Sequence, residues 1–336
     1  MSDAKLMQDV VLSSRVRIAR NLPDVPFPRA MNDAQAQEII YNVLNALKQQ
    51  DQAFTYHPMV NEPALTRQSM VEKHWISPDL AENPQKSALL ISADETLSVM
   101  LHEEDHLRVQ CILPGYQGKA ALTRAMDLVR VLERQMQFAY QEPLGYLTCC
   151  PTNVGTGLRV SFMVHLPALA LSGELQKTLD DIRPQGMTIR GIYGEGSSAQ
   201  GHIYQISNQV TLGVTEEECL QIVETTIQEI IDREMNARKH LDEEGGYAFQ
   251  DRLMRAVGLL RYARKISSKE ATSLLSLAWL ASDLGYWQGM EDAELHALLI
   301  AIQPATLSCL KQSQPNEAER DVFRAKYLRE KLEPYA

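Results

Sequence analysis

The sequence of 336 residues is poor in cysteine and lysine, and it has no long apolar run. Its five cysteines are odd in number and lack metal-type spacing, which argues against a disulfide framework. No run approaches the roughly 18 consecutive apolar residues of a membrane-spanning helix. The first residues also lack the apolar core of a signal peptide. Together these absences predict a cytoplasmic protein.

The balance of charged residues excludes one class of partner and favours another. With 33 Lys and Arg against 43 Asp and Glu, the formal net charge is −10, so bulk positive charge cannot hold nucleic acid or an anionic membrane. Arginine outnumbers lysine among the basic residues, however, with 21 Arg and only 12 Lys. Because Arg makes forked contacts with phosphate, a net-acidic protein rich in Arg can still bind phosphate in one local pocket.

Two kinds of sequence pattern predict two regions. With 45% hydrophobic residues the chain can bury sizeable cores, and its length suits about two domains. Helical patterns cover residues 120–140 and 216–238, the second preceded by Thr215 as a predicted N-cap. Between residues 87 and 213 the strand-like runs are SALLISA, TLSVMLH, LRVQCIL, GYLTC, LRVSFMVHL, TIRGIY and YQISNQVTL.

The chain reads as almost wholly helical after Gly245 and Gly246, which we interpret as a linker. The sequence therefore predicts an α+β fold. A largely antiparallel sheet flanked by helices occupies residues 1–240, and an all-helical C-terminal domain follows in residues 241–336. The negative charge is confined to the first part, because residues 1–236 hold 19 basic and 29 acidic side chains and the remainder is balanced.

One segment matches a zinc-protease motif in an unsuitable context. Residues 102–106 read HEEDH, the H-E-x-x-H pattern in which two histidines on one helix face bind zinc. The runs on both sides alternate like strands, so we expect this segment to join or continue strands. Four residues along a strand span about 13 Å, too far for two nitrogens to share one metal ion. The sequence therefore assigns no metal ligands.

Arginine recurs beside glycine or serine in the strand-and-loop region. The five positions are Arg15, Arg17, Arg108, Arg159 and Arg190. Any one of them alone would be interpreted as a surface charge or a structural ion pair. A polyphosphate, however, needs several forked donors that converge from different elements. Because the P-loop and the protein-kinase motifs are both absent, an ATP site here would have to be built from arginines.

Four separated motifs give this region a specific resemblance. SSRVRIARN, HEEDHLRVQ, CPTNVGTGLR and RGIYGEG occur in the same order in the catalytic domain of the phosphagen (guanidino) kinases. The sequence is more similar to the bacterial protein arginine kinases (McsB type), because the helical domain that precedes the SSR segment in the small-molecule kinases is missing. The helical region after residue 240 also resembles them. The resemblance implies transfer of the γ-phosphoryl group of ATP to arginine residues in proteins.

The resemblance also implies roles for individual residues. Glu104 and Glu195 match the catalytic carboxylates, which would grip the guanidinium group as a fork while one of them removes a proton. The sequence does not decide which of the two is the base. Cys150 matches a cysteine near the guanidino group and would have a supporting catalytic role. The five arginines would hold the phosphates of ATP, with Mg²⁺ bridging phosphate oxygens, and His74 would contact the nucleotide.

The nucleotide site implied by the resemblance comes from several segments. Its residues are Ser13, Ser14, Arg15, Val16, Arg17, His74, Arg108, Arg159, Val160, Ser161, Phe162, Met163, Arg190, Gly191, Ile192, Tyr193, Gly194 and Glu195. The glycines around Glu195 would permit a mobile loop that closes over the substrate. Alternatively, this segment simply connects two strands.

A second site is implied near the end of the sequence. In RDVFRA, a helix would place Arg320 and Arg324 on one face, with Asp321 beside them. The residues alone indicate a solvated helix face with ion pairs. The segment matches, however, the RDxxRA motif of the protein arginine kinases, which implies that phosphoarginine binds here and stimulates the kinase.

Two other functions stay open. The chain could phosphorylate a free guanidino compound, or it could be a non-catalytic adaptor that binds phosphoarginine, which the intact set of glutamates and arginines disfavours. The resemblance further implies partners in stress response and protein quality control: arginine-bearing substrates that include a heat-shock repressor and misfolded proteins, a Clp ATPase protease that degrades them, and a zinc-finger-type activator protein. A homodimer formed through the helical domain is implied as well.

Overall fold

The structure is a computed structural model that describes residues 10–48, 53–192 and 199–335. Its main strands are β1 (Val11–Arg20), β2 (Phe54–Pro58), β3 (Ala88–Ser92), β4 (Leu97–Leu101), β5 (Leu107–Pro114), β8 (Leu158–His165), β9 (Met187–Gly191) and β10 (Ile203–Asn208). They form one antiparallel sheet in the order β2-β3-β4-β5-β1-β8-β10-β9. A separate hairpin pairs β6 (Tyr140–Gln141) with β7 (Gly145–Tyr146).

The helices lie on both faces of this sheet and make up the C-terminal region. They are α1 (Asp33–Lys48), α2 (Ala64–Glu72), α3 (Pro78–Glu82), α4 (Gly118–Glu133), α5 (Pro167–Ser172), α6 (Leu175–Ile182), α7 (Glu216–Glu244), α8 (Gly246–Tyr262), α9 (Ser268–Asp283), α10 (Asp292–Ala301), α11 (Pro304–Lys311) and α12 (Glu317–Leu332). Within the described ranges, no single helix is long and apolar enough to cross a membrane. Only α10 and α11 taken together reach that length and composition, and these two helices meet at 86°.

One face of the sheet carries the largest apolar core. Along β1 the side chains of Val16 and Ile18 are buried in this core, to which α1, α4 and α7 also contribute. Because successive side chains of a strand point to opposite faces, the intervening Arg15 and Arg17 lie on the other face. The sheet therefore has one apolar face and one face with charge at its centre.

Two smaller apolar clusters cover the margins of the charged face. One joins Leu89 of β3 and Met100 of β4 to α2 and α3. The other is built by the C-terminal helices and includes Leu12, Met163 and Ile203 near the ends of β1, β8 and β10. Helix α11 packs on α2 and thereby links the two clusters. The centre of this face is left to polar side chains.

A buried ion network ties the C-terminal helices to the sheet region. Glu234 of α7 is fully buried and accepts the N–H groups of Ala168 and Leu169, each at 3.0 Å. It also accepts a hydrogen bond from Arg238 Nε at 2.9 Å. Arg238 Nη1 in turn donates to Asp283 of α9 at 2.8 Å. Since breaking a buried pair would leave an uncompensated charge, this network fixes the two regions against each other.

The fold class predicted from the sequence is confirmed. The junction between the two regions differs from the prediction, because two consecutive helices meet where a linker was expected. Helix α7 begins after Thr215, whose side chain forms a capping box with Glu218, and it continues to Glu244. Gly245 ends α7, and α8 starts at Gly246. The two glycines therefore form a bend between helices, and the predicted domain boundary at residue 240 lies inside α7.

The helix predicted to reach residue 140 is shorter in the structure. Helix α4 ends at Glu133 because the chain turns Phe138 into the apolar core. The N–H of Ala139 then donates to Asn21 O at 2.7 Å. The run GYLTC likewise contributes only the two residues of β7.

Candidate active site

The charged face gathers four of the predicted phosphate-binding arginines on three adjacent strands. Arg17 of β1 lies opposite Arg159 of β8. On the other side of β1, Ala19 lies opposite Arg108 of β5. Residues that lie opposite each other on neighbouring strands share a face of the sheet, and so do alternate residues of one strand. Arg15, Arg17 and Ala19 alternate along β1, so Arg15, Arg17, Arg108 and Arg159 all lie on the same face. The prediction that Arg15 and Arg17 share a face is confirmed.

Arg190 joins the same face through the neighbouring strands. It pairs with Gln205 of β10, whose side-chain oxygen accepts a hydrogen bond from Arg15 Nη2 at 2.7 Å. Arg15 Nε also lies 3.4 Å from Ser161 Oγ. Arg190 is exposed, and the other four arginines are half-buried. We refer to these five side chains, which the sequence separates widely, as the arginine cradle.

The arginine cradle carries positive charge that the described residues compensate only in part. Burial lowers the pKa of Arg15 to about 10, and the charges of three other cradle arginines add to this effect. Burial and the neighbouring arginines also hold the pKa of Arg17 well below its usual value. Arg17 Nε is buried without a hydrogen-bond partner among the described residues. Since unpaired buried groups and like charges are costly, the cradle has the character of a polyanion site.

The turn between β4 and β5 places a carboxylate beside the cradle. Arg108 forms an ion pair with Glu103, and its Nη2 lies 3.4 Å from Glu104 Oε2. The side chain of Glu103 is 6% exposed and that of Glu104 is 39% exposed, so Glu104 is the one that a substrate can reach. Burial and the nearby Asp105 raise the pKa of Glu104, against the opposing effect of Arg108. A raised pKa makes this carboxylate a better proton acceptor.

The HEEDH segment forms this turn and contains no helix. His106 Nδ1 accepts the N–H of Leu22 at 3.0 Å, and its Nε2 donates to Pro26 O at 2.8 Å. His102 Nδ1 donates to Lys86 O at 2.7 Å. The prediction that the segment joins two strands is confirmed, and both imidazoles are committed to backbone groups. In the described part of the chain, no three His, Cys, Asp or Glu side chains are arranged to hold a metal ion.

A second loop brings Cys150 to the edge of the cradle. Its half-buried thiol lies 3.0 Å from Thr152 Oγ1. The preceding residue is fixed by Asp105, whose Oδ1 accepts the N–H of Cys149 at 2.8 Å. Because Asp105 directly follows Glu104, this hydrogen bond ties the thiol loop to the carboxylate turn.

Glu104 and Cys150 also interact electrostatically with the cradle arginines. Burial lowers the pKa of Arg159, and the charges of Arg190 and Arg108 act in the same direction. Cys150 and Glu104 oppose this shift. The structure therefore brings the carboxylate, the thiol and the cradle together at one site.

His74 reaches the cradle from the end of α2. Its backbone oxygen accepts a hydrogen bond at 2.9 Å from Gln110 Nε2, and Gln110 lies opposite Arg17 in the sheet. Burial and the charge of Arg15, with a smaller effect of His296, lower the pKa of His74 to about 3. Its imidazole is therefore neutral. His296 lies on α10, and burial lowers its pKa to about 4. Its Nε2 is buried with no hydrogen-bond partner in the described ranges.

The sequence analysis missed several residues of this site, among them Gln110, Gln205 and His296. Gln110 and Gln205 alternate with apolar residues in LRVQCIL and YQISN, and that alternation is the signal that would have found them. No sequence signal connects His296 to the site. Helical periodicity shows that a helix has a buried face, but it does not show what that face contacts.

The implied nucleotide segments contribute residues to both faces of the sheet. Those that share the face of the cradle are Ser13, Ser161 and Met163. Those on the opposite, buried face are Ser14, Val16, Val160 and Phe162. Gly191 ends β9, and Ile192 packs against the apolar cluster of the C-terminal helices. The predicted residues Tyr193, Gly194 and Glu195 lie outside the described residues.

The second predicted site lies on α12, where its side chains have unequal roles. Arg324 is 1% exposed and donates to Ile302 O at 2.8 Å and Ile266 O at 3.0 Å. It also donates to Asp321 Oδ1 at 2.7 Å. Arg320 is half-buried and donates to one backbone carbonyl at 3.1 Å. Arg324 therefore holds α12 on its neighbours, and Arg320 is the more accessible of the two arginines.

Two family models match this chain. The model described as ATP:guanido phosphotransferase, C-terminal catalytic domain, matches residues 35–237. The model described as Protein-arginine kinase McsB C-terminal domain matches residues 247–336. Together they cover both the sheet region and the C-terminal helices.

Individual relatives agree with these models. The chain is 42% identical over 329 residues to a protein-arginine kinase of Desulforamulus reducens, covering 96% of this chain and 92% of that protein. It is 44% identical to one of Caldanaerobacter subterraneus subsp. tengcongensis, covering 97% of each.

Solved structures of guanidino kinases share the fold. A duplicated taurocyamine kinase from Schistosoma mansoni, with transition state analog components bound, matches at a TM-score of 0.63 and 25% identity over 72% of this chain. The match spans 35% of that duplicated protein. Lombricine kinase matches at a TM-score of 0.60 and 25% identity, covering 68% of this chain and 67% of that one. The chain belongs to the protein-arginine kinase family of ATP:guanido phosphotransferases.

Proposed function

We propose that this chain transfers the γ-phosphoryl group of ATP to a guanidinium nitrogen of arginine residues in proteins. The observation that carries the proposal is the arginine cradle with the accessible carboxylate of Glu104 at its edge. A polyanion site beside a base is what phosphoryl transfer to a cationic group requires. Membership of the protein-arginine kinase family supports the same activity.

Each part of the site has a task that follows from this chemistry. A guanidinium group stays protonated in water because its pKa exceeds about 12, so a carboxylate must remove a proton as the nitrogen attacks phosphorus. Glu104 would remove that proton, or it would orient the guanidinium together with Glu195, and its raised pKa supports the first of these roles. The cradle arginines would donate to phosphate oxygens and stabilise the loose, in-line transition state.

Two further side chains would have supporting tasks. The neutral imidazole of His74 would contact the nucleotide, since the charge of Arg15 lowers its pKa and its backbone oxygen accepts a hydrogen bond from Gln110, which lies opposite Arg17. The thiol of Cys150 would lie against the guanidino group, because its loop is tied to the turn that carries Glu104. Both roles are implied by the family resemblance, and these interactions support them.

We propose Mg²⁺ as the ion that accompanies ATP. The described residues provide no cluster of carboxylate, imidazole or thiolate ligands for a metal. Mg²⁺ at ATP sites usually keeps several waters and binds substrate phosphates, so the family's use of ATP supports this ion. The ion would neutralise charge on the phosphate oxygens.

The identity of the acceptor is tested by supplying Mg-ATP with either free arginine or an arginine-bearing basic protein at equal guanidinium concentration. We expect release of ADP with the protein and little release with free arginine. The structural likeness to taurocyamine and lombricine kinases favours a second candidate, a kinase for a free guanidino compound, which predicts the reverse preference. Binding of phosphoarginine without ATP turnover on either acceptor would instead identify an adaptor.

We also propose that phosphoarginine binds at Arg320 and Asp321 and stimulates the kinase. Arg320 has one backbone partner and is accessible enough to pair with a phosphate. Arg324 would act indirectly, because its guanidinium is buried among two carbonyls and Asp321.

Substitutions of the two arginines are expected to have different effects. Arg320→Ala should weaken phosphoarginine binding by at least about tenfold, the loss of one charge-assisted contact, with the melting temperature unchanged. Arg324→Ala should lower the free energy of unfolding by about 2 kcal/mol, because buried carbonyls lose their donor. Titration with a phosphoarginine peptide and thermal unfolding measure the two effects. Unchanged binding and stimulation in both Arg320→Ala and Asp321→Ala would contradict the proposal.

The proposed partners follow from the family resemblance. Phosphorylated substrates, among them a heat-shock repressor and misfolded proteins, would be degraded by a Clp ATPase protease in the cytoplasm, and a zinc-finger-type protein would activate the kinase. A homodimer through the C-terminal helices would cover apolar side chains that α8 exposes, namely Tyr247, Met254, Leu259 and Tyr262. Light scattering of the purified chain tests the dimer.

A further inference from the structure

The residue that follows β1, Asn21, is buried and contacts both loops at the edge of the arginine cradle. Its Nδ2 donates to Asp105 Oδ1 at 2.7 Å and to Leu147 O at 3.0 Å, and its Oδ1 accepts the N–H of His106 at 2.9 Å. Asp105 and His106 belong to the turn between β4 and β5, and Leu147 belongs to the loop that leads to Cys150. One amide side chain therefore joins the carboxylate turn to the thiol loop.

Backbone hydrogen bonds strengthen the same connection. The carbonyl oxygen of Asn21 accepts the N–H of Ala139 at 2.7 Å, and the N–H of Leu147 donates to Ala139 O at 3.0 Å. On the side of the turn, the N–H of Leu22 donates to His106 Nδ1 at 3.0 Å. The end of β1 is thereby held between the two loops, and β1 carries two arginines of the cradle.

Asp105 extends the contact of Asn21 to a second point of the thiol loop. It is 1% exposed, and its Oδ1 accepts hydrogen bonds from both Asn21 Nδ2 and the N–H of Cys149. Its Oδ2 is buried with no hydrogen-bond partner among the described residues. Because a buried carboxyl group with few donors is costly, loss of the Asn21 donor should free the turn to move. Glu104 directly precedes Asp105, so its carboxylate would move with the turn.

We infer that Asn21 is a positioning residue of phosphoryl transfer, which sets the carboxylate of Glu104 relative to the arginine cradle and the thiol loop. The inference rests on the proposed function, because it assigns Glu104 to catalysis. Among the described residues, the side-chain hydrogen bonds of Asn21 go to the two loops and not to a cradle arginine. Nucleotide binding should therefore persist without this amide. A misplacement of about 1 Å can lower a rate by about 10²-fold.

The test compares Asn21→Ala with Asn208→Ala. Asn208, at the end of β10, is also buried and also makes three side-chain hydrogen bonds. It accepts the N–H of Val160 at 2.8 Å and donates to Leu158 O at 3.1 Å and Val210 O at 3.0 Å. Both variants should lower the melting temperature, since each leaves buried polar groups without a partner. Only Asn21→Ala should lower kcat by at least about tenfold while the Kd of a non-hydrolysable ATP analogue stays within about twofold.

The pH profile gives a readout that a merely structural role would not move. Burial is the largest cause of the raised pKa of Glu104. The charged groups that also act on this pKa are Asp105, Arg108, Glu103 and Asp79. A looser turn exposes Glu104 to water, so Asn21→Ala should move the acidic limb of kcat to lower pH, toward that of an ordinary glutamate. Asn208→Ala should leave this limb at the pH of the wild type.

A milder variant, Asn21→Ser, serves if Asn21→Ala does not fold. A hydroxyl has one hydrogen and cannot donate to both Asp105 and Leu147, so kcat and the acidic limb should change in the same directions. In a Glu104→Gln background, either variant should change kcat by less than about twofold, because both changes act through one carboxylate. An unchanged kcat, an unmoved acidic limb, a parallel loss of ATP affinity, or an undiminished effect in the Glu104→Gln background would overturn the inference. Absence of phosphoarginine with the wild type would instead overturn the proposed function.

Discussion

Replacement of Glu104 by glutamine is expected to lower kcat by about 10²- to 10⁴-fold, the usual contribution of a general base, with little change in ATP affinity. The amide keeps the size of the side chain and loses its capacity to accept a proton. ATP affinity should persist because the cradle lies on β1, β5, β8 and β9, whereas Glu104 lies on the adjoining turn. Steady-state phosphorylation and titration with an ATP analogue separate the two effects.

The dependence on pH gives a second readout of the same group. Burial and Asp105 raise the pKa of Glu104, and the reaction needs its deprotonated form. Activity should therefore fall as the pH drops through this raised pKa, at a higher pH than for an ordinary glutamate, and the Glu104→Gln variant should lack this acidic limb. Glu95→Gln, an exposed glutamate between β3 and β4, is the matched control. Equal loss of ATP affinity and kcat in Glu104→Gln would contradict the role of a base.

Replacement of Arg17 by methionine is expected to weaken ATP binding by about 10²-fold and to stabilise the nucleotide-free protein. The affinity loss corresponds to a forked, charge-assisted contact of about 3 kcal/mol. The gain in stability, about 1 kcal/mol, follows because a guanidinium that burial and neighbouring charges disfavour is replaced by an apolar side chain. Function and stability should therefore change in opposite directions.

Thermal unfolding with and without an ATP analogue measures both parts of this prediction. The wild type should gain stability on adding the analogue, since a ligand that binds only the folded state shifts the equilibrium by mass action. Without the analogue, Arg17→Met should unfold at a higher temperature than the wild type. Adding the analogue should raise its unfolding temperature only slightly. Arg255→Met, an exposed position on α8 with a 76% exposed side chain, is the control and should behave as the wild type. A variant that loses both stability and ATP binding would show that Arg17 is a structural residue.

The arginine cradle could be predicted in part because strand alternation is a local property of the sequence. SSRVR places Arg15 and Arg17 on one face of any extended strand, and the sheet confirms it. Alternation does not reveal which strands are neighbours, so the opposition of Arg17 to Arg159 could not be derived. The same alternation explains why the segment with Arg159 also contains Val160 and Phe162, which enter the apolar core.

The contribution of the C-terminal helices could not be predicted. Their periodicity indicates buried faces, yet it does not show whether α9 packs on another helix or, through Ser276, on His165 at the end of β8 and His202 before β10. Arg324 shows the same limit. The residues alone indicated a solvated helix face, and the family resemblance implied a phosphate ligand. Arg324 is instead buried, because it donates to the carbonyls of Ile266 and Ile302, which come from other parts of the chain.

Mass spectrometry of an arginine-bearing basic protein, incubated with the chain and Mg-ATP under conditions that preserve acid-labile P–N bonds, is the most direct test of the proposed activity. We predict phosphoarginine in the samples treated with the wild type. We predict a loss of about 10²-fold or more with Glu195→Ala, the second expected carboxylate. No phosphoarginine with the wild type, or an undiminished yield with Glu195→Ala, would contradict the assignment of this site to arginine phosphorylation.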